Sequence, residues 1–299
     1  MDDNRTRLGL VGLGLIGTAL ARRLLAAGFS VKGYDIAAEA GARLAEIGGT
    51  PVASLAELAR TCPRVLIAVF NTEQVESVIE GPDGLMAVPD ASRAMRQVIN
   101  FSTCDPGRMT ALAGRCEARG LSFLETPLSG ASDQVARGEA VCLVGGSEVV
   151  LRESLDVVTA VAGKHYFMGV VGNGGKAKLA TNLILGLNRA ALAEGLVYAE
   201  RLGLPLDAFF DEVRNSAAYS AVMDVKGPKM VAREFRAQGK VVQSAKDFGL
   251  ILKTAQEVGQ RLPFAALYAE MMASCIAAGE GEWDNAAIIE SIRRQGSAD

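Results

Sequence analysis

The chain has 299 residues, room for about two ordinary domains, and is 49% hydrophobic but only 5% aromatic, so its core must be aliphatic. A net charge of −3 gives no electrostatic reason to expect nucleic acid or an acidic membrane as partner, and the longest apolar runs break well before the ~20 residues of a membrane span. Five cysteines without metal or redox spacing read as reduced cytosolic thiols, and a single histidine, His165, excludes any mechanism that needs two.

The polar stretch Met1 to Arg7 leads directly into a strand, so no signal or transit peptide is expected, the chain is placed in the cytoplasm, and no metal site is expected. Leu8 to Val11 is a short apolar run, consistent with a buried strand. Gly12-Leu13-Gly14-Leu15-Ile16-Gly17 follows at once, and Thr18 to Ala27 is a good helix. This is G-x-G-x-x-G between strand and helix. Its glycines permit a tight turn, approach of a pyrophosphate and close helix packing, and the helix start offers free N–H groups to phosphate. Gly12, Leu13, Gly14, Leu15, Ile16 and Gly17 are therefore expected to hold a dinucleotide. A second strand, Ser30 to Tyr34, ends in Asp35. A carboxylate there accepts hydrogen bonds from ribose hydroxyls and repels a 2′-phosphate. No arginine follows it, so NAD is favoured and NADP is the alternative. The bland reading is a tight strand–helix turn with a surface aspartate.

The alternation continues. Ala38 to Glu46 and Ser54 to Arg60 read as helices, the second with a Ser cap. Val65 to Phe70 reads as a buried strand whose end, Phe70-Asn71-Thr72, lies where a doubly wound sheet presents ligand-binding loops. Glu73 to Ile79 is a short helix; Phe70, Asn71 and Val75 are taken as cofactor-binding. Val98 to Phe101 is a strand leading through Ser102-Thr103 to Pro106, which suits a helix first turn. Thr103 belongs near a nicotinamide ribose, or else Ser102 and Thr103 merely cap that helix. Leu121 to Glu125 is a strand running into Thr126-Pro127-Leu128-Ser129-Gly130-Ala131-Ser132. A Ser-Gly-small turn at this edge exposes N–H groups and a hydroxyl, which suits a carboxylate; it is also common loop punctuation. Ala140 to Val144, a helix from Glu148 to Val161 and a strand from Gly163 to Met168 complete this part.

Beyond residue 170 no convincing strand remains. Gly172-Asn173-Gly174-Gly175 reads as a turn opening a helix of about 25–30 residues, roughly 40 Å long, ending near Leu202-Gly203. Helical stretches follow at Pro205–Arg214, Ala221–Val231, Val242–Gly259, Pro263–Ala278 and Asn285–Arg294. The expected class is α/β: a Rossmann-type doubly wound sheet over residues 1–170, then an all-α domain over 171–299, joined by the long helix. Lys178 and Asn182 are four apart and share a helix face. An ammonium and a carboxamide there suit a hydroxyl or carbonyl oxygen, although an exposed lysine and a core or capping asparagine would read the same. Lys246-Asp247 alone would be an exposed charge pair.

Taken together, Gly12-Leu13-Gly14-Leu15-Ile16-Gly17, Thr126-Pro127-Leu128-Ser129-Gly130, Gly172-Asn173-Gly174 with Lys178 and Asn182, and Lys246-Asp247 occur in one order, and the chain resembles the β-hydroxyacid dehydrogenase family along essentially its whole length. The resemblance implies that Lys178 is the catalytic acid/base, that Asn182 helps hold substrate, and that Ser129, Gly130 and Ala131 bind its carboxylate. It also implies that Thr103 contacts the cofactor and Lys246 borders the nicotinamide. The helical domain would be 6-phosphogluconate dehydrogenase-like. Three departures stand out: Ala131 where a second glycine is usual, Thr181 in place of the first residue of an Asn-Asn pair, and Asn71 in place of proline. The first alters the substrate turn.

The resemblance further implies hydride transfer between nicotinamide and a small β-hydroxy acid or its semialdehyde, such as 3-hydroxyisobutyrate, glycerate, tartronate semialdehyde or a threonate-type sugar acid. The cofactor supplies the redox chemistry, so the protein must orient substrate and manage one proton. A lysine can do so when an apolar, enclosed site favours the neutral amine. An imine reductase shares this architecture but generally lacks the lysine at position 178. A non-catalytic dinucleotide-binding protein is the reading from another class. A helix this long outruns one small helical domain, so a homodimer or homotetramer is expected.

Overall fold

The structure, a computed structural model, describes residues 6–296; residues 1–5, most of the polar N-terminal stretch, lie outside the described residues. The chain divides into two compact units, Met1–Lys178 and Leu179–Asp299.

In the first unit the elements alternate: β1 (Arg7–Val11), α1 (Leu15–Ala26), β2 (Ser30–Tyr34), α2 (Ala38–Glu46), β3 (Thr50–Pro51), α3 (Leu55–Thr61), β4 (Arg64–Ile67), α4 (Thr72–Glu80), β5 (Gln97–Asn100), α5 (Pro106–Glu117) and β6 (Ser122–Glu125). They build a parallel sheet of order β3-β2-β1-β4-β5-β6, the doubly wound arrangement expected. The strand order reverses between β1 and β4, and ligands of such sheets bind beyond the strands' carboxyl ends at that point.

Side-chain alternation explains why these strands read as continuous apolar runs. Leu8, Leu10, Leu66, Ile99 and Leu124 enter a cluster with Leu20 and Leu24 of α1 and residues farther along the chain. Val11, Val65, Ile67, Val98 and Phe123 point the other way, into a cluster with Leu58 of α3, Val75 of α4 and Met109 and Leu112 of α5. Both faces are covered by helices, and each fully buried aliphatic side chain contributes roughly 1.5–3 kcal/mol.

The unit continues with β7 (Leu128–Ser129), α6 (Ser132–Arg137), β8 (Val141–Val144), α7 (Glu148–Val161) and β9 (Lys164–Phe167). These strands form a separate three-stranded sheet, β7-β8-β9, with β7 antiparallel to β8. The Glu125–Gly145 bridge links the end of β6 to the end of β8. Neither the second sheet nor the short α6 is legible as such in the sequence.

Strand β4 stops at Ile67, short of the Phe70 expected, because the backbone donors leave the ladder. Val69 N–H goes to the Ser102 hydroxyl at 2.9 Å and Phe70 N–H to Gln74 Oε1 at 2.8 Å.

Helix α8 (Asn173–Arg201) crosses the division between the units. The division falls inside it, after Lys178. Asn173-Gly174-Gly175, expected as a turn, already form its first turn; Gly172, at φ +95°, is the bend before it.

The second unit adds α9 (Leu206–Arg214), α10 (Val222–Ala232), α11 (Val241–Glu257), α12 (Pro263–Ala277) and α13 (Ile288–Gln295). Leu192 and Leu196 of α8 share its core with Phe210, Met230, Phe248, Tyr268 and Ile288. A buried ion pair crosses that core: Lys226 Nζ lies 2.8 Å from Asp284 Oδ1. Burial pushes the Lys226 ammonium down to about 8, with the Asp284 carboxylate opposing it. Burial works against the Asp284 carboxylate too, but Lys226 and the Gln238 and Ala286 N–H groups hold it below the usual carboxylate range. Among the described residues no helix is long and apolar enough to cross a membrane.

Candidate active site

The glycines of the turn after β1 and the first turn of α1 each play a different part. Gly12 has φ +89°, and a Cβ on it would collide with the Ala68 carbonyl. A Cβ on Gly17 would overlap the Gly12 carbonyl oxygen, so Gly17 lets α1 pack on the turn. Around Gly14 nothing lies within 4 Å of a built Cβ, and α1 begins there without a side-chain cap. Open space in front of uncapped helix N–H groups fits a phosphate.

Asp35, just past β2, is tied to this loop. Its Oδ2 accepts the Leu13 N–H at 2.6 Å and its Oδ1 the Ala37 N–H at 2.9 Å. Leu13 has a buried side chain and gives its N–H to Asp35, while Leu15 is exposed and Ile16 partly buried. These residues therefore fit a dinucleotide, with Gly14 and the α1 start toward phosphate and Asp35 toward ribose.

The loops after β4 and β5 meet through the Ser102–Val69 hydrogen bond. Phe70 is exposed at this edge and Thr103 is buried. Ser102 serves as a tie between loops, and the cap of α5 is Asp105, whose Oδ1 accepts the Arg108 N–H at 3.0 Å. Asn71 caps α4, its Oδ1 accepting the Gln74 N–H at 2.8 Å. Val75 corrects the expectation for it: it is 0% exposed, in the core beneath α4, and has no surface to offer a ligand.

In the turn after β6, Ser129 pairs with Val141 at the end of β7, and Gly130 adopts φ +150° with Ala140 close behind it. The Ala131 N–H donates to Gln134 Oε1 at 2.9 Å. This also departs from expectation: the Ala131 donor is already taken, which leaves the Ser129 hydroxyl and the Gly130 N–H as the turn's candidates for a carboxylate.

Lys178, on the second turn of α8, is 7% exposed. The start of α8 is closed by a residue absent from the expectations. Glu125, the last residue of β6, is 1% exposed and accepts the Gly172 N–H at 2.8 Å, and the nearby Gly174 and Gly175 N–H groups favour its charged form. Burial raises this carboxyl above the usual range, and those N–H groups and Lys176 oppose the rise. A Cβ on Gly174 would stand 2.6 Å from Leu143 O, and one on Gly175 2.6 Å from Glu125 Oε1. The glycines are there because strand ends and a carboxylate press on the helix start. The one capping side chain at hand, Asn173, is instead turned to Met168 O and Lys176, so the helix start needs an acceptor from elsewhere.

In the second unit, Asn182 Nδ2 donates to Asp247 Oδ2 at 2.8 Å, and Lys246 Nζ lies 2.8 Å from Asp247 Oδ1. A carboxylate only accepts, so it must face the Asn182 amide NH₂, which leaves Oδ1 as the outward acceptor. Asp247 is thus the organising residue of the Lys246-Asp247 pair, a part sequence reasoning left to Lys246.

Comparison with known proteins agrees with this geometry. Residues 7–172 match the model of the NAD binding domain of 6-phosphogluconate dehydrogenase, and residues 172–292 that of the NAD-binding region of NADP-dependent 3-hydroxyisobutyrate dehydrogenase. An L-threonate dehydrogenase of Cupriavidus necator is 34% identical over 95% of both chains. A solved 3-hydroxyisobutyrate dehydrogenase from Salmonella typhimurium superposes with a TM-score of 0.86 at 31% identity, covering 95% of this chain and 99% of its own. An imine reductase from Pseudomonas sp. shares the fold at 18% identity and a TM-score of 0.64, covering 96% and 99%. With the glycine loop, Asp35 and the helix bearing Lys178 all in place, the chain belongs to the β-hydroxyacid dehydrogenase family and is an NAD(P)-dependent oxidoreductase.

Proposed function

We propose that the protein interconverts a short β-hydroxy acid and its carbonyl form, with Lys178 as the proton carrier and NAD as the preferred cofactor. The observation that carries this is the burial of Lys178, 7% exposed, on the helix that presents Asn182 one turn later. When bound, the nicotinamide supplies or accepts the hydride. Lys178 Nζ takes the hydroxyl proton in oxidation and returns it in reduction, a role typically worth about 10²–10⁴-fold. Asn182 Oδ1 accepts a hydrogen bond from the substrate hydroxyl or the ammonium. The Ser129 hydroxyl and the Gly130 N–H donate to the substrate carboxylate. Asp35 favours NAD, because its carboxylate repels a 2′-phosphate.

The substrate class follows the relatives: sugar acids of the threonate kind, 3-hydroxyisobutyrate and short semialdehydes. A panel of L-threonate, 3-hydroxyisobutyrate and glycerate with NAD and NADP, and of tartronate and succinic semialdehydes with the reduced cofactors, read at the reduced-cofactor absorbance, tests it. Lys178→Ala should abolish turnover while NADH affinity stays near wild type; retention of most activity across the panel sinks the assignment. Reduction of a cyclic imine without turnover of any hydroxy acid would favour the imine reductase reading.

The reading includes assembly and location. Ile184 and Tyr198 are exposed apolar residues along α8, with Leu202 exposed just past its end and Phe264 exposed on α12, surfaces that a second copy would cover. The five cysteines are free and buried, which suits a reducing cytoplasm.

A further inference from the structure

We propose that Glu125 is a positioning residue for this reaction: one buried carboxylate joins the start of the helix that carries Lys178 to the strand end that carries the Ser129–Gly130 turn. This rests on the proposed role of Lys178.

Helix α8 is 29 residues long, and its first N–H groups have no partner within the helix. Such a helix start attracts anions, and here Glu125 occupies it. The Gly172 N–H bonds Oε2 at 2.8 Å, the carboxylate packs so closely on Gly175 that a Cβ there would stand 2.6 Å from Oε1, and the Gly174 and Gly175 N–H groups favour its charged form. The substrate carboxylate is thereby directed elsewhere, to the Ser129–Gly130 turn. Lys178 follows Gly174 by one turn, about 6 Å of rise, so a shift of the first turn is passed directly to the lysine.

The strand side is held equally firmly. Glu125 exchanges both backbone hydrogen bonds with Gly145, each 2.8 Å, and Thr126 N–H reaches Asn100 O at 2.7 Å. Leu143 N–H bonds Pro127 O at 3.1 Å, and Leu128 and Ser129 then pair with β8. The run from Glu125 to Ser129 is pinned along its length, so the carboxylate sets the spacing between the substrate's anchor and its proton carrier. Lys176 of α8 is the charged group acting on Glu125; Gly145 from β8 and Pro106 from α5 bring no charge.

The ionised carboxyl accepts the Gly172 N–H and is favoured by the neighbouring N–H groups, and protonation weakens that grip. Burial raises its pKa, so the grip loosens as pH falls toward a value above the ordinary carboxylate range. In the reduction direction Lys178 must be protonated, which places its own limb on the alkaline side. An acid limb in that direction that disappears when Glu125 is made neutral is the expected signature.

The test compares wild type and Glu125→Gln in reduction of the better panel semialdehyde with NADH. The expected result is a kcat at least tenfold lower, with NADH Kd unchanged, KM moved less than kcat, and the acid limb of wild type absent. Gly175→Ala, which pushes on Oε1 without removing the charge, should lower kcat in the same selective way and serves if Glu125→Gln does not fold. Wild-type kcat and pH profile in either folded variant overturns the inference, as does a loss that tracks NADH affinity. Activity surviving in Lys178→Ala would instead sink the functional reading on which this rests.

Discussion

Replacing Gly14 and Gly17 separately by alanine should give opposite phenotypes from one motif. A Cβ on Gly17 would overlap the Gly12 carbonyl oxygen, and a backbone atom cannot rotate away. Overpacking of this kind costs about 1–3 kcal/mol or more. At roughly 2–4 °C per kcal/mol for a domain of this size, Gly17→Ala should lose about 6–12 °C at the upper end of that cost. Gly14 is different: its φ of −69° is open to any residue, and a built Cβ meets nothing within 4 Å. Alanine at that helix-cap position should cost no more than about 1 kcal/mol, under ~4 °C. The methyl group would, however, stand in the space a phosphate must enter. NADH Kd should rise at least tenfold, about 1.4 kcal/mol. Thermal melts without cofactor, paired with NADH fluorescence titrations, read both quantities. Equal melting losses in the two variants, or wild-type NADH affinity in Gly14→Ala, would refute the division of labour among these glycines.

Asp247→Asn should leave the fold intact but lower kcat about tenfold or more, because a charge-assisted hydrogen bond of roughly 1.5–3 kcal/mol no longer orients the Asn182 amide; initial rates with saturating cofactor read this, and an unchanged kcat would show that the Asn182 orientation does not matter. Gln134 separates structure from recognition. Gln134→Glu can still accept the Ala131 N–H, as glutamate does in capping boxes, but sets a negative charge beside the substrate turn. It should keep the wild-type melting temperature and raise KM for hydroxy acids about tenfold, and an unchanged KM would place the carboxylate away from Ser129 and Gly130.

Much of this protein could be read directly from the chain because the deciding interactions are local. Helices α2 and α7 have the limits their patterns suggest, and Ser54 and Ser147 cap through N–H groups three residues on. Pro106 opens α5 as its missing N–H allows. The glycine loop is likewise local, since Gly12 and Gly17 shape one turn between consecutive elements. Apolar periodicity separated the sheet-bearing part from the helical part for the same reason.

What lay beyond the sequence was settled by partners distant in the chain. Glu125 meets Gly172 across 47 positions, and Asn182 meets Asp247 across 65; no spacing rule encodes either. Strand β4 ends early because Ser102, 33 positions away, captures the Val69 N–H. Val75 looked available on a short helix, yet packing of α4 against the sheet buries it completely. Local propensity and capping decide which elements form and where they start, whereas a buried polar group finds its partner only once the elements have packed. That is why the lysine proposed as proton carrier could be singled out through motifs local in the chain, while the carboxylate that holds its helix could not.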